Sequence, residues 1–213
     1  GEAGVGKTRL AEEAARMAFA QGWWLAFGRA YSYTLTLTNP NPYQLWIEVL
    51  RKAVELATRK QQTLPSDRPY LPFLCDLLPE LRAFLPEERQ EVSPLAPEQG
   101  QLRLWEAVYS LLTTISDGQP FLVILDDVQW ADTSSGALLA YLARRLQGSS
   151  LFLLCTSRSN ELAADHPLHN IMLELEQEGC LTLMPLHPLA TDDIHTLIST
   201  IHPLPDPLAQ EIA

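Results

Sequence analysis

Gly1-Glu-Ala-Gly-Val-Gly-Lys-Thr8 opens the chain, and Phe121-Leu-Val-Ile-Leu-Asp-Asp127 lies beyond its midpoint. Reading these two stretches together decides the fold. The first fits G-x-x-x-x-G-K-[ST] without a gap. Its glycines let backbone N–H groups converge on phosphate oxygens. A helix beginning at Lys7 would aim the positive end of its dipole at the same oxygens. Lys7 is placed to reach the β- and γ-phosphates, and the Thr8 hydroxyl to ligand Mg²⁺. The candidate binding residues of this loop are Gly1, Glu2, Ala3, Gly4, Val5, Gly6, Lys7, Thr8 and Arg9.

The second stretch is a continuous apolar run, as in a strand buried on both faces, and it ends in two acids. That is the Walker B arrangement. Asp126 is the candidate metal ligand beside Thr8, and Asp127 the candidate general base for an attacking water. A further apolar run, 151–156, ends in Cys155-Thr156-Ser157-Arg158. Its polar tip is expected beside the two acids. Arg158, with a delocalised charge and fork geometry, is the candidate catalytic sensor of the γ-phosphate. Asn160 is a rival for that role.

Outward from these landmarks, helices alternate with strands. Leu10, Ala14, Met17 and Ala18 recur at helical spacing, predicting a helix over 7–21 that Gly22 ends. Residues 23–30 read as a short strand. After a polar loop rich in Thr, Pro42 sits in the first turn of a helix running to about Lys60. Residues 61–97 hold seven of the 16 prolines, which forbids a long helix or a central strand there. One short helix over about 71–84, kinked at Pro79, is expected. A stronger helix over 98–116 carries Leu102, Trp105, Val108, Tyr109, Leu112 and Ile115 on one face. Further helices are expected over about 134–146, 168–178 and 192–201, with a last one starting near Pro207. A third short strand is expected over 180–183. This alternation indicates a parallel α/β sheet.

Charge supports the same reading. Lys and Arg number 15 against 26 Asp and Glu, a net −11. That balance excludes a nucleic-acid-binding module, which needs clustered positive charge. No Lys or Arg follows Arg158, so a site for an anionic ligand belongs in the first three quarters of the chain. No apolar run is long enough to span a membrane. Three widely separated cysteines, Cys75, Cys155 and Cys180, imply neither a disulfide framework nor a zinc site, and point to a reducing, cytoplasmic setting.

Several conspicuous residues read as structural. Asp132 is the expected N-cap of the helix that follows it, and Trp130 is expected as core beneath the acidic turn. His166 and His169 lack a third ligand. Arg144-Arg145 read as a solvated helix end rather than an arginine finger, and Trp23-Trp24 as core rather than a base-stacking platform.

The stretches GEAGVGKTRLAEE (1–13), GRAYSYTLTLTNPNPYQLW (28–46), FLVILDDVQWADTSS (121–135), LLCTSR (153–158) and LMPLHPLATDDIHTLI (183–198) occur in this order in one family. The chain resembles the origin-recognition-like AAA ATPase domain of bacterial multidomain regulators. These are signal-transduction ATPases with numerous domains (STAND), alongside MalT-like and LuxR-type regulators. The resemblance implies a P-loop NTPase, a three-layer α/β/α sandwich with a mainly parallel sheet. It implies a core over 1–190, in which 61–97 is a Pro-rich helical insertion, and the start of a C-terminal helical lid over 191–213. It also implies an ATP-operated switch using ATP and Mg²⁺, self-association through the ATPase domain, and covalently attached sensor and output domains. The chain opens inside a motif, so a strand that ordinarily precedes the loop is expected to be missing. The flanking strands should then be exposed and the chain poorly stable alone.

Competing readings remain. A ring-forming AAA+ remodeller or loader usually carries Asp-Glu at the Walker B tip and Asn at the sensor position; here the pair is Asp-Asp. A scaffold without turnover conflicts with intact Lys7, Thr8, Asp126 and Asp127. A small-molecule kinase lacks its arginine-bearing lid here, and an ABC-type ATPase its LSGGQ-like signature.

Overall fold

A computed structural model of the protein describes residues 1–32, 42–59, 69–85, 97–116, 118–158, 161–162 and 166–201. Helix α1 (Lys7–Ala20) leads into β1 (Trp24–Arg29). Then come α2 (Gln44–Arg59), α3 (Leu71–Leu74), a 3₁₀ segment (Pro79–Phe84) and α4 (Pro97–Ile115) before β2 (Phe121–Asp126). A 3₁₀ turn (Val128–Trp130) and α5 (Thr133–Arg145) connect β2 to β3 (Leu151–Cys155), and α6 (Pro167–Gln177) and α7 (Thr191–Ile201) follow. The strands form one parallel sheet in the order β1-β2-β3, with Trp24 beside Phe121 and Phe121 beside Leu151. Helices on both faces make the three-layer α/β arrangement expected from the sequence.

Every residue of β2 is buried, as its unbroken apolar run requires of a central parallel strand. On one face, Leu122 and Ile124 pack under Ala11, Ala15 and Ala18 of α1. The buried stripe of α1 is thus small-residue, and Leu10 and Met17, expected inward, are 47% and 56% exposed. Alanines at this spacing let the helix lie close on the sheet while the larger side chains lean outward.

The opposite face buries Trp24, Ala26, Phe121, Val123 and Leu125 against α2, α4 and α5. Trp24 meets Phe121 edge-on, with centroids 6.3 Å apart, so it is core, as expected. Gly28 lets α2 approach: a methyl there would overlap the Leu45 carbonyl oxygen and the Val49 side chain. Trp46, fully buried on α2, donates its indole N–H to the Ser135 carbonyl at 3.1 Å, tying α2 to α5. On α4, Val108, Leu111, Leu112 and Ile115 are buried, whereas Leu102 is about half exposed.

Two expectations are corrected. The helix over 71–84 is two short pieces, α3 and the 3₁₀ segment, because Pro79 removes a donor and ends any continuous ladder. The strand over 180–183 does not form: residues 180–190 carry no regular structure. A strand needs a neighbour for its N–H and C=O groups, and this segment has no ladder partner among the described residues. It passes the loop instead, with the Leu186 carbonyl against Gly1. Nor does the outer edge of β3 pair among the described residues, and Phe152 and Cys155 are exposed there. The helix expected near Pro207 and residues 61–68 and 86–96 of the insertion lie outside the described residues, as does Asn160. No described helix is long and apolar enough to cross a membrane.

Candidate functional site

The glycine-rich turn and α1 build one half of the site. Gly4 and Gly6 adopt φ of 79° and 96°, a left-handed backbone that side chains with a Cβ resist. Among the described residues no side chain caps α1, and its first turn holds no acid, so its N-terminal N–H groups are available to an anion. Lys7 Nζ donates to the carbonyls of Gly1 (3.1 Å) and Glu2 (2.6 Å), drawing the turn around its ammonium. Gly1 and Val5 are half-buried, while Glu2, Ala3 and Gly4 are exposed. Arg9 points away, pairing with Glu12 and Glu13 along the helix, so the structure does not bring its side chain to the others.

The C-terminal ends of the strands build the other half. Thr8 Oγ1 donates to both carboxylate oxygens of Asp126, at 3.1 and 3.3 Å. Thr156, just past β3, is buried between the two acids: its hydroxyl donates to Asp126 Oδ1 at 2.5 Å and accepts the Asp127 N–H at 3.0 Å. Asp127 itself has φ 57° and ψ 43°. This left-handed residue swings the chain out of β2 into the 3₁₀ turn, a conformation Asp tolerates better than most residues.

Both Asp127 oxygens are engaged. Gln129 Nε2 donates to Oδ1 at 3.1 Å, and Arg158 Nε lies 3.7 Å from the same atom. Arg29 Nη2 lies 3.4 Å from Oδ2, and its Nε 3.5 Å from Asp126 Oδ2. Gln129 also accepts the Arg158 backbone N–H at 3.2 Å. The Arg158 guanidinium bonds Glu161 at 2.7 Å and sits 4.6 Å from the centre of the Trp130 ring.

The structure therefore brings Thr8, Asp126, Asp127 and Arg158 together. Two further residues enter the cluster unforeseen, Arg29 and Gln129, and Thr156, at the strand tip expected there, forms a bridge. Arg29 carried a readable signal, since the last residue of β1 is in register with Asp126. Thr156 carried the same kind of signal, since Leu125 is in register with Cys155 and the next step sets Thr156 beside Asp126, whereas Gln129 joins only through the turn geometry that Asp127 creates.

Residues read as structural resolve as follows. Asp132 caps α5, accepting from Ser135 N at 2.9 Å. Trp130 is half-buried rather than fully core, and its face supports Arg158. His166 caps α6 through Nδ1 and meets the Gln129 carbonyl through Nε2 at 3.0 Å, so both ring nitrogens have partners. Arg144 binds Glu174 and Glu178, and its hydrogen bond holds the Glu178 carboxyl below the ordinary range. Arg145 stacks 4.7 Å from the Tyr141 ring centre.

The donors that converge here, a threonine hydroxyl and a carboxylate, are hard oxygens of the kind Mg²⁺ takes. They lie opposite a turn whose amides suit an anion, so a phosphate–metal pair fits the residues present.

A family model described as AAA ATPase domain matches residues 1–154. No curated protein and no solved structure matches the chain. The matched span holds the glycine-rich turn, β1, the two acids and α5, and Thr156 and Arg158 follow it directly. Nucleotide binding and ATPase-type activity are the properties of that family. With nearly three quarters of its length matched and the motif residues converging in space, the chain belongs to the AAA ATPase domain family.

Proposed function

We propose that this protein is an ATP-operated regulatory switch, binding Mg-ATP and hydrolysing it slowly as part of a larger cytoplasmic signal-transduction or transcriptional regulator. The observation that carries the reading is the Thr8–Asp126 contact, which joins residues 118 apart in sequence. Apolar packing lays α1 on β2, but it does not require a hydroxyl and a carboxylate to face each other at their ends.

In this reading the amides of 1–9 and Lys7 hold the phosphates, while Thr8 and Asp126 hold Mg²⁺. The metal supplies charge neutralisation along the phosphates. Asp127 accepts the proton of the attacking water, and Arg158 senses the γ-phosphate. Slow turnover is part of this proposal: Gln129, Arg29 and Arg158 crowd the oxygens of the nearly buried Asp127, which narrows the approach of a water. Self-association and attached sensor and output domains belong to the same proposal, supported by the resemblance of the motifs.

A rapid-quench time course with Mg-ATP tests it. One burst of about one ADP per site, with the ADP then retained, is the expected result. Sustained rapid turnover would replace the switch with a remodelling motor.

A further inference from the structure

We propose that Arg29 is a resident counter-cation of the acid pair, which a divalent ion must displace from Asp126. Arg29 thereby sets how readily the site takes its metal. The inference rests on the reading of Thr8, Asp126 and Asp127 as the metal-nucleotide centre.

Asp126 and Asp127 are nearly buried, with side chains 10% and 7% exposed. Two adjacent buried carboxylates need compensating charge. Arg29 supplies it from the end of β1, one guanidinium spanning both acids at 3.5 and 3.4 Å. Its own side chain is 50% exposed, so it can swing outward without leaving a cavity.

Arg158 cannot play this part. It touches only Asp127, and it is fixed by Glu161, by the Trp130 face and by its own backbone bond to Gln129. The site thus has one anchored guanidinium and one movable one.

The competition centres on a single oxygen. Asp126 Oδ1 takes the short bond from buried Thr156. Oδ2 lacks that bond and is the Asp126 oxygen that Arg29 reaches, while Thr8 approaches both, Oδ1 at 3.1 Å and Oδ2 at 3.3 Å. A divalent ion held by Thr8 and Asp126 meets the guanidinium there, and two cations on one oxygen repel. Metal entry and Arg29 departure are therefore one event. A Lys at this position keeps the charge but loses the fork that spans two acids.

The test is Mn²⁺ binding, read by electron paramagnetic resonance, with ADP saturating. Arg29→Gln should bind Mn²⁺ roughly two- to fivefold more tightly than the parent, the range for releasing a half-exposed ion pair. Its metal-free thermal midpoint should fall. Arg29→Lys should lie between the two. Equal or weaker Mn²⁺ binding by a folded Arg29→Gln protein overturns the proposal.

A second measurement stands if that variant fails to fold. In the ¹⁵N-arginine-labelled parent, the Arg29 Nε–H resonance, assigned by its loss in Arg29→Lys, should move with Mg²⁺ plus ADP. It should stay in place with ADP plus chelator. A resonance indifferent to Mg²⁺, in protein that binds labelled ADP, overturns the displacement alone. A parent that binds no ADP overturns the nucleotide-site reading and this inference with it.

Discussion

Replacing Thr156 by Val keeps the shape of the side chain and deletes the one atom that joins both acids. That oxygen donates to Asp126 at 2.5 Å and accepts from the Asp127 N–H at 3.0 Å, and Thr156 is 7% exposed. A hydrogen bond to a charged group is worth about 1.5–3 kcal/mol, and stranding a buried N–H costs about 1–3 kcal/mol. The two losses share one atom and do not add fully, so about 3 kcal/mol is expected for the substitution. Against the usual stability of about 5–15 kcal/mol that is a large fraction. For a chain of 213 residues it lowers the melting midpoint by roughly 6–12 °C. Thr156→Ser is the control: it keeps the oxygen and loses one methyl, about 0.8 kcal/mol. Urea unfolding followed by circular dichroism measures both variants, with equal m-values confirming that the unfolding reaction is unchanged. If the Val variant came within about 0.5 kcal/mol of the Ser variant, a spacing inside ordinary surface-substitution scatter, the bridging role of the hydroxyl would be refuted.

Other substitutions probe separate parts. Lys7→Ala should abolish tight ATP binding, and unchanged affinity for labelled ATP would remove the phosphate-loop assignment. Asp127→Asn should leave ATP binding intact while slowing hydrolysis roughly 10²–10⁴-fold; undiminished single-turnover hydrolysis would move the base elsewhere. Asp132→Ala should cost about 1–3 kcal/mol, because its carboxylate caps α5 and also accepts the Tyr43 N–H at 3.2 Å; Asp132→Asn, which can still cap, should cost less in the same urea titration. Cys75 is buried, and burial pushes its thiol pKa up, so Ellman's reagent should read fewer than the three thiols present until denaturant is added; immediate reaction of all three would contradict the packing of α3.

The elements legible in the sequence were those whose signal is local. The run 121–125 reads as a strand buried on both faces, and Asp132, just before the helix that starts at Thr133, reads as its N-cap. The glycine-rich turn carries its backbone requirement in its own residues. What escaped depends on neighbours. Residues 180–183 have the composition of a strand but no ladder beside them. Leu10 and Met17 have helical spacing, but the sheet accepts the alanine stripe one step around the helix. Gln129 and His166 acquire their roles from a turn whose shape is set by a left-handed Asp127, which no spacing rule reveals.

The order of the strands also dictates a schedule. β2, α5 and β3 are close in sequence and can pair early, whereas β1 joins β2 across the whole stretch that carries α2, α3 and α4. Contacts between such distant segments form slowly, because the loop must close before any pairing rewards it. The Thr8–Asp126 meeting and the Arg29 pairings belong to that late step. Until it occurs, one side of β2 lies open, and its sequence FLVIL is the kind of strand that recruits other chains. During folding, then, the future site is a seam whose delayed closing leaves the chain exposed to aggregation.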